Sequence, residues 1–106
     1  MKFEEKNIGI LGLGMSGYWS AKLAKSLNNN VFVSDANKHV NQAFIDDLKM
    51  LGIELEIGVH SNQILKSDVI IKSPGIPNNS KIMNKINAAK IPVTVSYTHL
   101  TLPTKA

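Results

Sequence analysis

The 106-residue sequence contains no cysteine and no arginine. Without cysteine there is neither a disulfide framework nor a thiolate metal site. The three histidines, His39, His60 and His99, are scattered without ligand spacing, so no metal is expected. Missing arginine matters because its planar, forked guanidinium is the usual reader of phosphates and base edges in nucleic acid. All 12 basic residues are lysines, spread singly along the chain. The formal charge of +4 and isoelectric point near 9.4 therefore read as solvated lysines. Aromatics make up only 6% of residues, which leaves no stacking platform for nucleic acid. No apolar run approaches the roughly 18 residues of a membrane span. The N-terminal Met1-Lys2-Phe3-Glu4-Glu5-Lys6 carries acids and leads into an apolar run too short for a secretory signal. A cytoplasmic chain is expected, with no nucleic-acid or membrane partner, and its length bounds it to one domain or less.

What is present centres on Ile8-Gly9-Ile10-Leu11-Gly12-Leu13-Gly14-Met15-Ser16-Gly17. A short β-forming run hands over through Gly12, Gly14 and Gly17 to a segment of helical periodicity. The first glycine permits a tight turn, the second lets a phosphate approach the backbone, and the third lets the helix lie close to the strand. The amides at such a helix start favour an anion. The same pattern also suits a plain glycine-rich turn.

The first strand is expected over Asn7 to Leu13, and the first helix over Ser16 to Leu27, with Gly17, Ala21, Ala24 and Leu27 as its narrow packing face. Trp19 and Leu23 lie on the neighbouring face, where packing is preferred over a ligand-stacking role for Trp19. Asn28-Asn29-Asn30 ends the helix, and Val31 to Ser34 forms a second strand that delivers Asp35 to its end. Asp35 follows Gly17 by 18 residues, the separation at which a βαβ unit places an acid beside a nucleotide's sugar or base. Capping of the next turn is the other reading. Val40, Phe44, Leu48 and Leu51 mark a second helix stopped by Gly52, and Ile53 to Ile57 a third strand. His60 falls in a polar turn and is assigned no chemistry. A short helical piece, Gln63 to Lys66, precedes the fourth strand, Val69 to Lys72, which opens into Ser73-Pro74-Gly75-Ile76-Pro77, a rigid loop that serves either as connector or as ligand edge. Ser80 starts a third helix with Ile82, Ile86 and Ala89 as its stripe, and Ile91 to Thr94 begins a fifth strand. The order predicts an α/β fold, a Rossmann-like doubly wound parallel sheet of about five strands with helices on both faces.

From Val95 the pattern breaks. Residues 95–106 resemble a translated sequencing adapter and are set apart as a non-native tail, leaving 1–94 as the domain of a longer natural chain.

Gly-Leu-Gly-Met-Ser-Gly at 12–17, Val-Ser-Asp at 33–35, Leu-Gly-Ile at 51–53, Gly-Val-His at 58–60, Lys-Ser-Pro-Gly-Ile-Pro at 72–77 and Ala-Lys-Ile-Pro-Val at 89–93 together resemble the N-terminal domain of the Mur ligases. Within that family the resemblance is to the branch that adds D-glutamate to UDP-N-acetylmuramoyl-L-alanine in peptidoglycan biosynthesis. It implies a domain that holds the UDP portion of that substrate. Gly12, Gly14, Met15, Ser16 and Gly17 would take the diphosphate, Asp35, Ala36 and Asn37 the uracil end, and Ser73, Pro74 and Gly75 the other side. Many members carry a threonine and a basic residue after the acid, so Ala36 and Asn37 offer fewer side-chain contacts. The parent reaction needs ATP and Mg, and a G-x-x-G-K-[ST] loop to cradle the phosphates. That loop is absent from the sequence, so the chain is expected to carry no catalytic residue and no cofactor of its own; separately, a monomer is expected. The main alternative is an NAD- or FAD-binding domain of an oxidoreductase or sensor, with Asp35 on the ribose hydroxyls. A truncated product that does not fold stably is the other.

Overall fold

The computed structural model describes residues 6–95. β1 (Asn7–Leu11), α1 (Met15–Ser26), β2 (Asn30–Asp35), α2 (Gln42–Met50) and β3 (Glu54–Ile57) are followed by a 3₁₀ turn over Asn62–Lys66. Then come β4 (Val69–Lys72), α3 (Lys81–Ala88) and β5 (Val93–Thr94). All four strand pairings are parallel and the order is β3-β2-β1-β4-β5. The chain winds outward from β1 through β2 to β3, then crosses back to β4. That reversal leaves a switch point between β1 and β4, where open α/β sheets bind ligands at the carboxyl ends of their strands. The expected α/β class, parallel sheet and two helical layers are all present. The expected tail over 95–106 lies, apart from Val95, outside the described residues.

Strand alternation sorts the core into two layers. Ile8 and Ile10 of β1, Val31 and Val33 of β2, and Val69 and Ile71 of β4 pack with Ala21 and Ala24 of α1 and with Ile45 and Leu48 of α2. On the opposite face Leu11 and Ile70 meet Ile64 of the 3₁₀ turn and Ile82, Met83 and Ile86 of α3. Both layers are built from β-branched strands under helices with small or aliphatic inner faces, which is why β1 and β4 read as near-continuous apolar runs.

Three helical stripes end about one turn earlier than the periodicity predicts. Leu27, Leu51 and Ala89 are exposed instead of buried, and each is the C-cap residue of its helix. At the cap the backbone has left the helical path toward the next strand, so the side chain no longer falls on the sheet-facing stripe. Asn28 makes the first of these exits at φ 68°, in the left-handed conformation expected of it. Trp19 packs beside the stripe against Tyr18, Met15 and Lys22, yet stays open to solvent. It is 56% exposed because the face of α1 turned to the sheet is Gly17, Ser20, Ala21 and Ala24. Two residues past Gly17 put it about 200° round the helix, on the side away from the sheet. No helix among the described residues is long and apolar enough to cross a membrane.

Candidate functional site

The carboxyl ends of β1, β2 and β4 each release a loop, and backbone hydrogen bonds tie the three together. Gly12 N–H donates to Ser34 C=O at 2.8 Å, and Ser73 N–H donates to Leu11 C=O at 2.8 Å. Gly12 adopts φ 100°, and a Cβ there would lie 2.8 Å from Ser73 Cβ and 3.1 Å from Ile76 Cδ1. The β1–α1 loop therefore presses directly on the loop that follows β4. Gly17 is constrained differently: a Cβ would meet the Gly12 carbonyl oxygen at 2.1 Å, so only glycine lets α1 start this close to the strand it follows.

Gly14 caps α1 in extended conformation with no side-chain hydrogen bond, and the first turn holds no acidic residue. Every helix start leaves its first N–H groups without intrahelical acceptors, and Met15 and Ser16 at this one are both exposed. A Cβ on Gly14 would meet nothing within 4 Å, so the space over the helix start is open. The arrangement suits an anion.

Asp35 stands at the end of β2. Its Oδ2 accepts the Leu13 N–H at 2.7 Å, its Oδ1 accepts the Asn37 N–H at 2.8 Å, and its carbonyl accepts the Gly58 N–H at 2.7 Å. The acid is thus in the crevice and also shapes it. Asn37 Oδ1 accepts the His39 N–H at 2.9 Å, and Asn37 and Ala36 are both exposed. Across the switch point Ser73 folds its loop back, accepting Ile76 N–H on its carbonyl at 3.1 Å, while Pro74 and Gly75 are exposed. The structure thus brings Gly12, Gly14, Met15, Ser16, Gly17, Asp35, Ala36, Asn37, Ser73, Pro74 and Gly75 to one edge of the sheet. Among the described residues no cluster of His, Asp and Glu could hold a metal ion.

Two features of this edge escape sequence reading. Ser34, fully buried, pairs in register with Glu56, and its Oγ lies 2.9 Å from Glu56 Oε2 and 2.6 Å from His60 Nδ1. Ser34 has one hydroxyl proton, so a chain in which His60 Nδ1–H donates to Oγ and the hydroxyl donates to Glu56 satisfies every group. Burial pushes the His60 imidazole down, against the opposing pull of Asp35 and Glu56. Burial also acts to raise the Glu56 carboxyl, but hydrogen bonds from Ser61 and Ser34 outweigh it and hold the group below its usual range. The signal available was a serine, a glutamate and a histidine near two adjacent strand ends, which becomes a network only once the register is known. Lys72 is the second feature. It is 5% exposed, and its ammonium donates to the carbonyls of Ile76 at 2.7 Å and Ser73 at 3.3 Å, bracing the loop from beneath.

The family model described as the MurD N-terminal domain matches residues 7–82. The UDP-N-acetylmuramoylalanine--D-glutamate ligase of Cytophaga hutchinsonii is 44% identical over 89 residues, 83% of this chain and 20% of that protein. The ligase of the same name from Bacillus cytotoxicus is 32% identical over 93 residues, 86% of this chain and 21% of that protein. The chain thus spans about one fifth of the length of the curated relatives it matches. Among solved structures, a murein peptide ligase from Psychrobacter arcticus superposes with a TM-score of 0.73 over 84% of this chain and 18% of that one, at 22% identity, a likeness of fold.

Proposed function

The chain belongs to the MurD N-terminal domain family, and from that premise we propose that it holds the uridine diphosphate end of a UDP-N-acetylmuramoyl-L-alanine substrate for a D-glutamate-adding ligase. One observation carries the reading: the loops after β1, β2 and β4 converge on an open, uncapped helix start with an acid beside it. The exposed amides of Met15 and Ser16, with the Ser16 hydroxyl, take the diphosphate. Each Asp35 oxygen already accepts one backbone N–H, and each keeps a second lone pair with which to accept the ring N–H of uracil. Asn37 contributes its amide, and Ser73 to Gly75 close the far side. ATP, Mg and the amide-forming step belong in this reading to parts of the parent outside this chain, which binds substrate without turning it over.

A titration of the chain with UDP and with NAD, each followed by thermal shift, tests the assignment. UDP should raise the melting temperature more than NAD at equal concentration. Preference for NAD would move the chain to the dinucleotide-binding class and overturn the proposal.

A further inference from the structure

Resting on the nucleotide reading above, we infer that Trp19 and Met15 form an apolar wall against which the uracil ring stacks. Trp19 is 56% exposed and Met15 64%, on the side of α1 away from the sheet. The indole is nonetheless held on three sides. Its Nε1 lies 3.3 Å from Met15 Sδ, its ring meets Tyr18 edge-on at 5.1 Å and 67°, and Lys22 Nζ sits 4.9 Å from its centroid. Tyr18 is itself anchored, stacked on Phe44 of α2 at 4.2 Å and bonded through its hydroxyl to Asp47, which Lys22 also engages at 3.2 Å. An aromatic side chain held by these contacts yet open over half its surface is placed to meet a partner.

The direction of the indole names that partner. Helical side chains lean toward the helix N-terminus, and the contact with Met15 draws Trp19 that way, to the first turn of α1. Met15 is two residues beyond Leu13, whose N–H binds the Asp35 carboxylate. In the arrangement we infer, a base whose ring N–H engages Asp35 lies beside Met15, with the indole next to it. A planar pyrimidine fits such a wall, since every base has a π face and methionine sulfur packs well against aromatic edges. Asp35 selects the base by hydrogen bonding, and the wall supplies affinity.

Trp19 is the sole tryptophan of the chain, so its emission reports on the wall directly. The test is calorimetric titration with UDP and, separately, with pyrophosphate, alongside the emission spectrum. UDP should quench Trp19. Trp19→Ala should weaken UDP about tenfold and leave pyrophosphate unchanged, while Trp19→Phe, which keeps a ring, should retain most of the affinity. UDP binding to Trp19→Ala with parental affinity, with no change of emission in the parent chain, would overturn the wall and leave the nucleotide reading standing. Failure of UDP to bind the parent chain at all would remove the nucleotide reading, and the wall with it.

Discussion

Asp35 Oδ2 accepts the backbone N–H of Leu13 at 2.7 Å, across 22 residues of sequence, while its Oδ1 accepts Asn37 N–H. One carboxylate thus joins the glycine loop to the turn after β2. Leu13 is only 3% exposed, so removing the acceptor strands its N–H away from water. A hydrogen bond to a charged group contributes on the order of 1.5 to 3 kcal/mol. Asp35→Ala should therefore lower stability by about 2 kcal/mol. Asp35→Asn, whose amide oxygen still accepts one of the two bonds, should lose less. Urea denaturation of the three proteins measures this, and equal midpoints would mean that the strut contributes nothing in solution.

Gly14 and Gly17 separate the fold from the ligand. At Gly17 a methyl group would sit 2.1 Å from the Gly12 carbonyl oxygen, a backbone atom with no room to yield. Gly17→Ala should cost roughly 2 to 3 kcal/mol or block folding outright. At Gly14 the backbone is extended and the space open, so Gly14→Ala should melt with the parent. Its methyl group would nonetheless stand where a phosphate must approach. A parental melting temperature with clearly weakened UDP binding is the expected result for Gly14→Ala, and unchanged binding would place the anion elsewhere.

The contrast between those two glycines shows what was legible in the sequence. Residues that act through chain-local geometry declared themselves. The spacing of Gly12, Gly14 and Gly17, the 18 residues from Gly17 to Asp35, and the apolar β-branched runs all belong to one βαβ unit. The edge that β1, β2 and β4 share followed from the right-handed crossover rule. Residues that act through register or loop return were hidden. Ser34 and Glu56 become partners only when β2 and β3 pair, and His60 joins them only because the turn after β3 folds back. Lys72 resembles any lysine at a strand end until its loop curls over it. Packing of Trp19 on the neighbouring face of α1 was legible, but its exposure was not, because the small inner face of α1 turns the indole outward.

His60 should make stability depend on pH. Burial holds its imidazole below the ordinary value in the folded chain, whereas in the unfolded chain it titrates near about 6.5. As pH falls through that value the unfolded chain gains a proton that the folded chain resists, so stability drops. Above it the contribution is fully present. The parent chain should lose stability between about pH 7.5 and 5.5, and His60→Gln, which keeps an amide donor for Ser34, should lose less over the same interval. The depressed Glu56 carboxyl acts at lower pH, because its contribution is lost only as pH falls below the usual carboxylate range. Parallel pH profiles for parent and variant would show that His60 is not the titrating group.

Lys72 places two effects in opposition. Its buried ammonium costs desolvation, and no described carboxylate forms an ion pair with it. Its bonds to Ile76 and Ser73 hold the loop whose Ile76 side chain lies against Gly12. Lys72→Met keeps the length of the side chain and removes both the charge and the brace. Relief of the buried charge offsets the stranded carbonyls, so global stability should change by less than about 1 kcal/mol. The loop itself should open more often, because among the described residues only Lys72 bonds the Ile76 carbonyl. Amide exchange at Gly75 and Ile76 should quicken by about tenfold while exchange in β1 stays as it was, and UDP should bind more weakly. Uniformly faster exchange throughout the sheet would instead make Lys72 a core residue and detach it from the crevice.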